Sequence, residues 1–394
     1  MDIYSDIDHR WNAYLGTIRQ QSFHVIPKDR NIVIFGAGDR GFYAHRDLSV
    51  LGKKIICFTD NNVQKQGTKF LDLEVVDPKH LKNIIGEGIF AVIAVGNKKI
   101  ANEISKQLNA MNIESVVYNP GWHSVSVDEL DYVYKNCLSD NRSKYVFYCY
   151  FRSRCENDDS YYKRICEGDQ YFGITPFSFE NNNDFVFLDL GAYDGDTLEM
   201  FMKVTKGNFN KIISFEPTPE LFKILEQKTA QLKHTYNWND GQIECIRKGI
   251  GERNETVEFF IYDEYLSSEQ WSDKFNMSGN SKDTFFPAQR EKARSINVEI
   301  VSLDNYLENI DIKKITMIKA DIEGAELSML KGAYKTIKKD MPALAISIYH
   351  KSNDICEIPI YIKKHFPEYN LFMRHHSNGE AELVLYCITN NETD

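Results

Sequence analysis

The sequence predicts an α/β chain with two doubly wound, mostly parallel sheets, and three observations support this. Short apolar strands alternate with helical stretches along most of its length. Two of those strands run directly into glycine-bearing turns, at Gly36 to Gly41 and at Gly191 to Gly195. The last two strands flank a Ser-Asn-Gly turn. With 394 residues and 42% apolar content the chain is long enough for two separate cores.

The first unit opens with Asn31-Ile-Val-Ile-Phe35, a G-x-G-x-x-G turn through Gly36, Gly38 and Gly41, and a helix to about Gly52. The next strand, Ile55 to Thr59, ends at Asp60, near the ~20-residue offset of an acid that reads a ribose. A third strand (Phe90 to Gly96), a helix (Lys98 to Asn112) and a strand (Ser115 to Tyr118) complete a Rossmann-like domain over 1–121. It is too short for a full two-lobed dinucleotide fold. A nucleotide-binding turn and a packing or dimerisation module both remain open for it. Residues 122–183 form a helical linker region, with helices expected at Asp128 to Leu138 and Asp140 to Arg154. An aromatic stretch through Tyr171 and Phe172 follows, as an acceptor-pocket floor or as core.

The second unit, 184–394, begins with the strand Phe185 to Leu190 and an acid-rich glycine loop. A phosphate cradle wants glycine amides and a basic residue. This loop instead sets Asp189, Asp194 and Asp196 beside Gly191 and Gly195. That suits a cationic, amino-acid-bearing nucleotide, and S-adenosyl-L-methionine fits with its ammonium, sulfonium and neutral ribose. The cofactor contacts expected here are Asp189, Gly191, Ala192, Tyr193, Asp194, Gly195 and Thr197. The second strand, Lys211 to Phe215, ends in Glu216 and Pro217, placing an acid where it can accept from both ribose hydroxyls. Pro217 and Pro219 stop that strand and set up the following helix. The third strand, Ile243 to Ile246, leads to Gly249 and Ile250, small enough for an adenine to lie against the backbone.

The fourth strand, from Ile315, runs through Ala320 to Asp321 and Glu323 at its carboxyl tip. A helix follows with Ala325, Met329, Leu330, Ala333 and Ile337 on one face. A carboxylate at that tip can orient or deprotonate an acceptor hydroxyl, hold a divalent cation, or complement the helix N-terminus. The fifth strand ends in Tyr349-His350-Lys351. An unperturbed imidazole titrates near neutrality, which makes His350 the expected general base. Asp321, His350 and Glu323 are thus the candidate catalytic residues. Magnesium or manganese is permitted, but no ligand spacing demands it. Arg374, His375 and His376 add polar side chains alternating across the penultimate strand. The Ser-Asn-Gly turn then makes a hairpin, so the sheet finishes with an antiparallel strand, as in a methyltransferase and not a dehydrogenase.

Five segments in order carry a resemblance: Asp-Leu-Gly-Ala-Tyr-Asp-Gly-Asp-Thr from Asp189, Phe-Glu-Pro from Phe215, Val-Ser-Leu-Asp from Val301, Lys-Ala-Asp-Ile-Glu-Gly-Ala-Glu from Lys319, and Ser-Ile-Tyr-His-Lys from Ser347. Residues from about 184 to 388 resemble an FkbM-family S-adenosylmethionine-dependent methyltransferase. The resemblance implies a class I methyltransferase fold and O-methylation, commonly of sugars in surface glycans. It also implies cofactor contacts at Asp189 to Thr197 and Glu216, with the acceptor near Asp321, Glu323 and His350. The segment Ser267 to Ser295 departs from the pattern and is expected to cover or shape the acceptor site. The first unit resembles the small N-terminal domain of bacterial sugar O-acyltransferases, where it meets nucleotide sugars.

The expected activity is therefore methylation of a sugar hydroxyl on a glycan, glycolipid or nucleotide-sugar precursor. A nicotinamide-dependent sugar oxidoreductase using Gly36 to Asp60, and a non-catalytic nucleotide-sugar binding protein, stand as alternatives. A net charge of −10 argues against nucleic acid. No window approaches the ~20 apolar residues of a membrane span, so a cytoplasmic location is expected. Homo-oligomerisation is left open. The eight cysteines are dispersed without a Cys-x-x-Cys pair, against a zinc site or disulfide framework.

Overall fold

A computed structural model of the chain describes residues 4, 6–21, 26, 29–50, 52–81, 88–118, 125–156, 158–174, 179, 183–262 and 293–389. It divides into two compact units: Met1–Asp131 with Tyr148–Arg164, and Tyr132–Phe147 with Ile165–Asp394. Among the described residues no helix is long and apolar enough to cross a membrane.

In the first unit β1 (Asn31–Phe35), β2 (Ile55–Thr59), β3 (Lys69–Phe70), β4 (Leu73–Val76), β5 (Ile89–Ile93) and β6 (Glu114–Val117) form one sheet in the order β3-β4-β2-β1-β5-β6. All its pairs are parallel except β3 with β4. The unbroken apolar runs follow from cover on both faces. Ile32 and Ile34 of β1 pack into one core, and Val33 and Phe35 into another with Ala101, Ile104 and Leu108 of the helix Lys98–Ala110. Asn97 caps that helix, its Oδ1 accepting from the amides of Lys99 and Ile100. The β3–β4 hairpin was not anticipated. Its turn residues Leu71 and Asp72 both take positive φ, a role usually marked by Asn or Gly.

The second unit contains β7 (Val186–Leu190), β8 (Lys211–Phe215), β9 (Ile243–Ile246), β10 (Gly249–Ile250), β11 (Glu255–Tyr262), β12 (Ala293–Val301), β13 (Met317–Ala320), β14 (Ala343–Ser347), β15 (Tyr369–His375) and β16 (Leu383–Thr389). Seven of them form a sheet ordered β15-β16-β14-β13-β7-β8-β9, and the others a small sheet ordered β10-β12-β11. In the large sheet β16 runs antiparallel to both β14 and β15. The antiparallel hairpin strand is present as expected, but it is inserted, and β15 takes the edge. Burial explains the order. Leu383 to Cys387 are all buried, as an interior strand requires, whereas β15 alternates buried and half-buried residues. The sheet turns back on its order at β7, so the carboxyl ends of β7, β8 and β13 open a crevice.

The helix Asp196–Thr205 locks β7 in place through Leu198, Phe201 and Met202, all fully buried. The Phe201 ring stacks on Phe187 with centroids 4.8 Å apart and planes within 12°. Truncating it would leave a cavity that this aromatic cluster cannot collapse into. Phe201→Ala is expected to cost about 3–5 kcal/mol in urea unfolding. A loss below about 1 kcal/mol would show that the cluster repacks freely.

Candidate active site

The site is built by three loops that tie to one another through backbone. After β7 the chain turns at Gly191, with φ near +79°. The amides of Gly191 and Ala192 both donate to the Phe215 carbonyl at the tip of β8, at 3.0 and 2.9 Å. On the other side the Asp321 amide donates to the Leu190 carbonyl at 3.0 Å. A Cβ on Gly191 would sit 1.8 Å from the Asp321 carbonyl oxygen, so no larger residue fits between the loops.

Glu216 closes the same junction from β8. One of its oxygens accepts from the Tyr193 amide at 3.1 Å and the other from the Thr218 amide at 2.8 Å. Burial lifts its carboxyl to about 7, although the Thr218 and Tyr193 amides pull the other way.

Below the loops, Lys319 on β13 lies in register with Asp189 on β7. Its ammonium is 3.2 Å from Asp189 Oδ1, with both side chains almost fully buried, and donates to the Gly191 carbonyl at 2.6 Å. The Tyr171 ring faces it at 5.4 Å. Burial opposes both charges. The ammonium nonetheless stays protonated, because Asp189, Asp321 and Asp196 all face it.

At the tips of β13 and β14 a second cluster assembles. Asp321 accepts from the Tyr171 hydroxyl at 2.8 Å, with the Tyr349 hydroxyl at 3.5 Å. Nε2 of His350 lies 3.3 Å from Asp321 Oδ1 and 3.6 Å from Glu323 Oε2. Nδ1 of His350 is 2.9 Å from Glu326 Oε1, which also accepts from the Ile322 amide at 3.0 Å. Burial works against a charged His350 ring, but Glu326, Asp321 and Glu323 overcome it and raise its pKa to about 10. In the ligand-free cavity these carboxyl groups favour the charged ring over the neutral form that a general base needs. Glu323, in a left-handed backbone conformation, is pushed up to about 8 by burial.

These loops enclose a cavity of about 380 Å³, the size of a small-molecule site. Of the residues expected to hold a cofactor, Gly191, Tyr193, Thr197, Glu216, Pro217, Gly249 and Ile250 line it. Asp189 and Ala192 do not; both are fully buried beneath the loop. Asp194 pairs with Lys228 at 3.2 Å, and Gly195 supplies the left-handed residue that starts the helix. Asp321 and Glu323 line the cavity, with His350 behind them. Tyr171, Asp196, Lys319, Tyr349 and Glu382 also line it. The other polar residues of β15 serve structure. His375 is fully buried against the Gly379 carbonyl, His376 meets the Tyr386 hydroxyl, and Arg374 pairs with Asp140. The covering segment expected at 267–295 lies, up to residue 292, outside the described residues.

In the first unit the glycine turn is already engaged. Asp60 accepts from the amides of Ala37 and Asn62 and from the Lys65 ammonium, which also donates to the Ala37 carbonyl. Both bonds on Asp60 Oδ2 tie it to its own turn, and Lys65 already neutralises the carboxylate.

Glu216 gives the site a pH signature. Its folded pKa lies above the ~4.3 of an unfolded glutamate, so the stability it confers is complete below about pH 4 and is lost as pH rises through 7. Glu216→Gln cannot ionise. Between pH 4.5 and 8 the ligand-free variant is expected to gain about 3 kcal/mol on the parent in urea unfolding. Parallel pH profiles would show that the carboxylate ionises without cost.

Residues 189–379 match the methyltransferase FkbM domain family, and residues 28–116 match the C2185-like N-terminal family. The crystal structure of a methyltransferase FkbM from Methylobacillus flagellatus KT shares the fold. It has a TM-score of 0.52 and 20% identity, over 95% of this chain and 92% of that one. Methyltransferase 1 of Beauveria bassiana is 24% identical over 169 residues, which is 42% of this chain and 63% of that curated relative's length. Residues 189–379, which supply most of the cavity walls, are thus a methyltransferase FkbM domain.

Proposed function

We propose that the chain is an S-adenosylmethionine-dependent O-methyltransferase acting on a sugar hydroxyl. The observation that carries this reading is the placement of Glu216 at the switch-point crevice, beside a cavity rimmed with carboxylates. S-adenosylmethionine supplies a methyl on a sulfonium, and its transfer to an alcohol breaks one C–S bond, forms one C–O bond and releases the alcohol's proton.

Both oxygens of Glu216 accept from backbone amides and the Thr218 side chain also bonds the carboxylate, so a ribose hydroxyl would take the acceptor positions that remain. Gly249, Ile250, Phe259 and Ile300 give an apolar wall from the small sheet, suited to adenine. Asp196 and Thr197, at the first turn of their helix, give the amino-acid end polar partners. Asp321, Tyr349 and Glu382 gather at the far rim, where they would orient an acceptor hydroxyl. A sulfonium methyl is already activated, so alignment supplies most of the rate and proton removal less. A nicotinamide reading is weaker because Asp60 is committed to Ala37 and Lys65.

The acceptor class is tested by incubating the full chain with S-adenosylmethionine and a panel of nucleotide sugars and oligosaccharides, then weighing the products. A sugar that gains one methyl supports the reading; a methylated non-sugar acceptor with no sugar modified would refute the acceptor class. Replacing Glu216 by Gln removes the charge from two hydrogen bonds while keeping the shape. Its affinity for S-adenosylmethionine is expected to fall about 10- to 100-fold in equilibrium dialysis. Equal affinities would take the ribose away from Glu216.

A further inference from the structure

We propose that Asp321, Glu323 and the Nε2 of His350 form a divalent-cation site at the acceptor end of the cavity, with Glu326 orienting the imidazole from behind. The proposal rests on the methyltransferase reading above and adds a metal dependence to it.

Three observations point to a ligand here. Donor atoms of Asp321, of His350 and of Glu326, the residue that orients the imidazole, all lie within 4.8 Å of one another. His350 Nε2 is buried, stands 3.3 Å from Asp321 Oδ1 and 3.6 Å from Glu323 Oε2, and forms a hydrogen bond with neither. Glu326, fully buried, keeps Oε2 without a hydrogen-bond partner among the described residues. Three carboxyl groups crowd one imidazole, and burial makes any unbalanced negative charge there costly.

The two separations from Nε2 suit a metal. Donors about 2.1 Å from an octahedral ion stand roughly 3.0 Å apart when adjacent, so the Nε2 to oxygen distances need only a few tenths of an ångström of contraction. Glu326 Oε1, 2.9 Å from Nδ1, supplies the carboxylate that fixes the tautomer of a metal-bound histidine and leaves Nε2 free to ligate. One imidazole with two carboxylates matches manganese or a similar ion better than calcium. Asp321 and Glu323 face the cavity, so the remaining coordination positions open toward the acceptor. The ion would displace the proton from Nε2, and a hydroxyl bound there would be positioned and made more acidic without the imidazole serving as its base.

The test titrates Mn²⁺ into the chelator-treated full chain, with free Mn²⁺ read by electron paramagnetic resonance. One Mn²⁺ per chain is expected, weakened at least about 100-fold in His350→Ala and in Asp321→Asn, and unchanged within about twofold in Glu258→Gln, an exposed acid on β11. Asp321→Asn keeps the side-chain shape, so the test stands if His350→Ala does not fold. Absence of saturable binding, or binding that survives both site variants, would overturn the proposal. So would full methylation activity after chelation. A chain that takes up one Mn²⁺ but binds no S-adenosylmethionine would leave the cation site standing and remove the methyltransferase reading.

Discussion

The ion pair between Asp189 and Lys319 is the contact on which the rest of the site depends. It joins β7 to β13 inside the sheet, where neither charge reaches water, and Lys319 then holds the Gly191 carbonyl from below. Without that hold, the loop after β7 would lose its register against Asp321, whose backbone already touches Gly191 as closely as a glycine allows. A buried pair of this kind adds little net stability over apolar residues of the same size, but removing one partner costs several kcal/mol. Its use here is positional.

The cavity above that pair carries an excess of negative charge. Asp196, Glu216, Asp321, Glu323 and Glu382 all line it, against Lys248 and Lys319. Burial raises the carboxyl pKa values of Glu216, Glu323 and Glu382. Each is costly to ionise until a cationic or hydrogen-bond-donating ligand arrives. The proposed sulfonium nucleotide would relieve that cost at the β7 and β8 end, and a divalent cation would do so at the β13 and β14 end. The same carboxyl groups would disfavour a dinucleotide pyrophosphate at the β7 and β8 end.

Much of this was legible from local pattern. Apolar runs ending in glycine or acid located the strand tips, and Gly191, Tyr193, Glu216, Gly249 and Ile250 were placed at the cavity by that rule. What escaped depends on register or on distant pairing. Lys319 sits in an apolar strand and becomes informative only once Asp189 is known to lie beside it. Tyr171 reaches Asp321 across 150 positions, which no local spacing encodes. The charge state of His350 is set by three carboxylates that come from a different strand tip and helix, so an isolated imidazole was the wrong reference. The small sheet leaves a weak local signal: β11 and β12 are rich in β-branched and aromatic residues, but their pairing joins segments more than thirty residues apart. Its contribution, Phe259 and Ile300 in the cavity wall, is what gives the adenine end an apolar face.

The account stands on the claim that this crevice receives S-adenosylmethionine. Calorimetric titration of the full chain with S-adenosylmethionine and, separately, with NAD tests it most directly. The account predicts one S-adenosylmethionine bound per chain and no heat from NAD. Saturable NAD binding with none for S-adenosylmethionine would contradict it and return the first unit's glycine turn to the centre of the function.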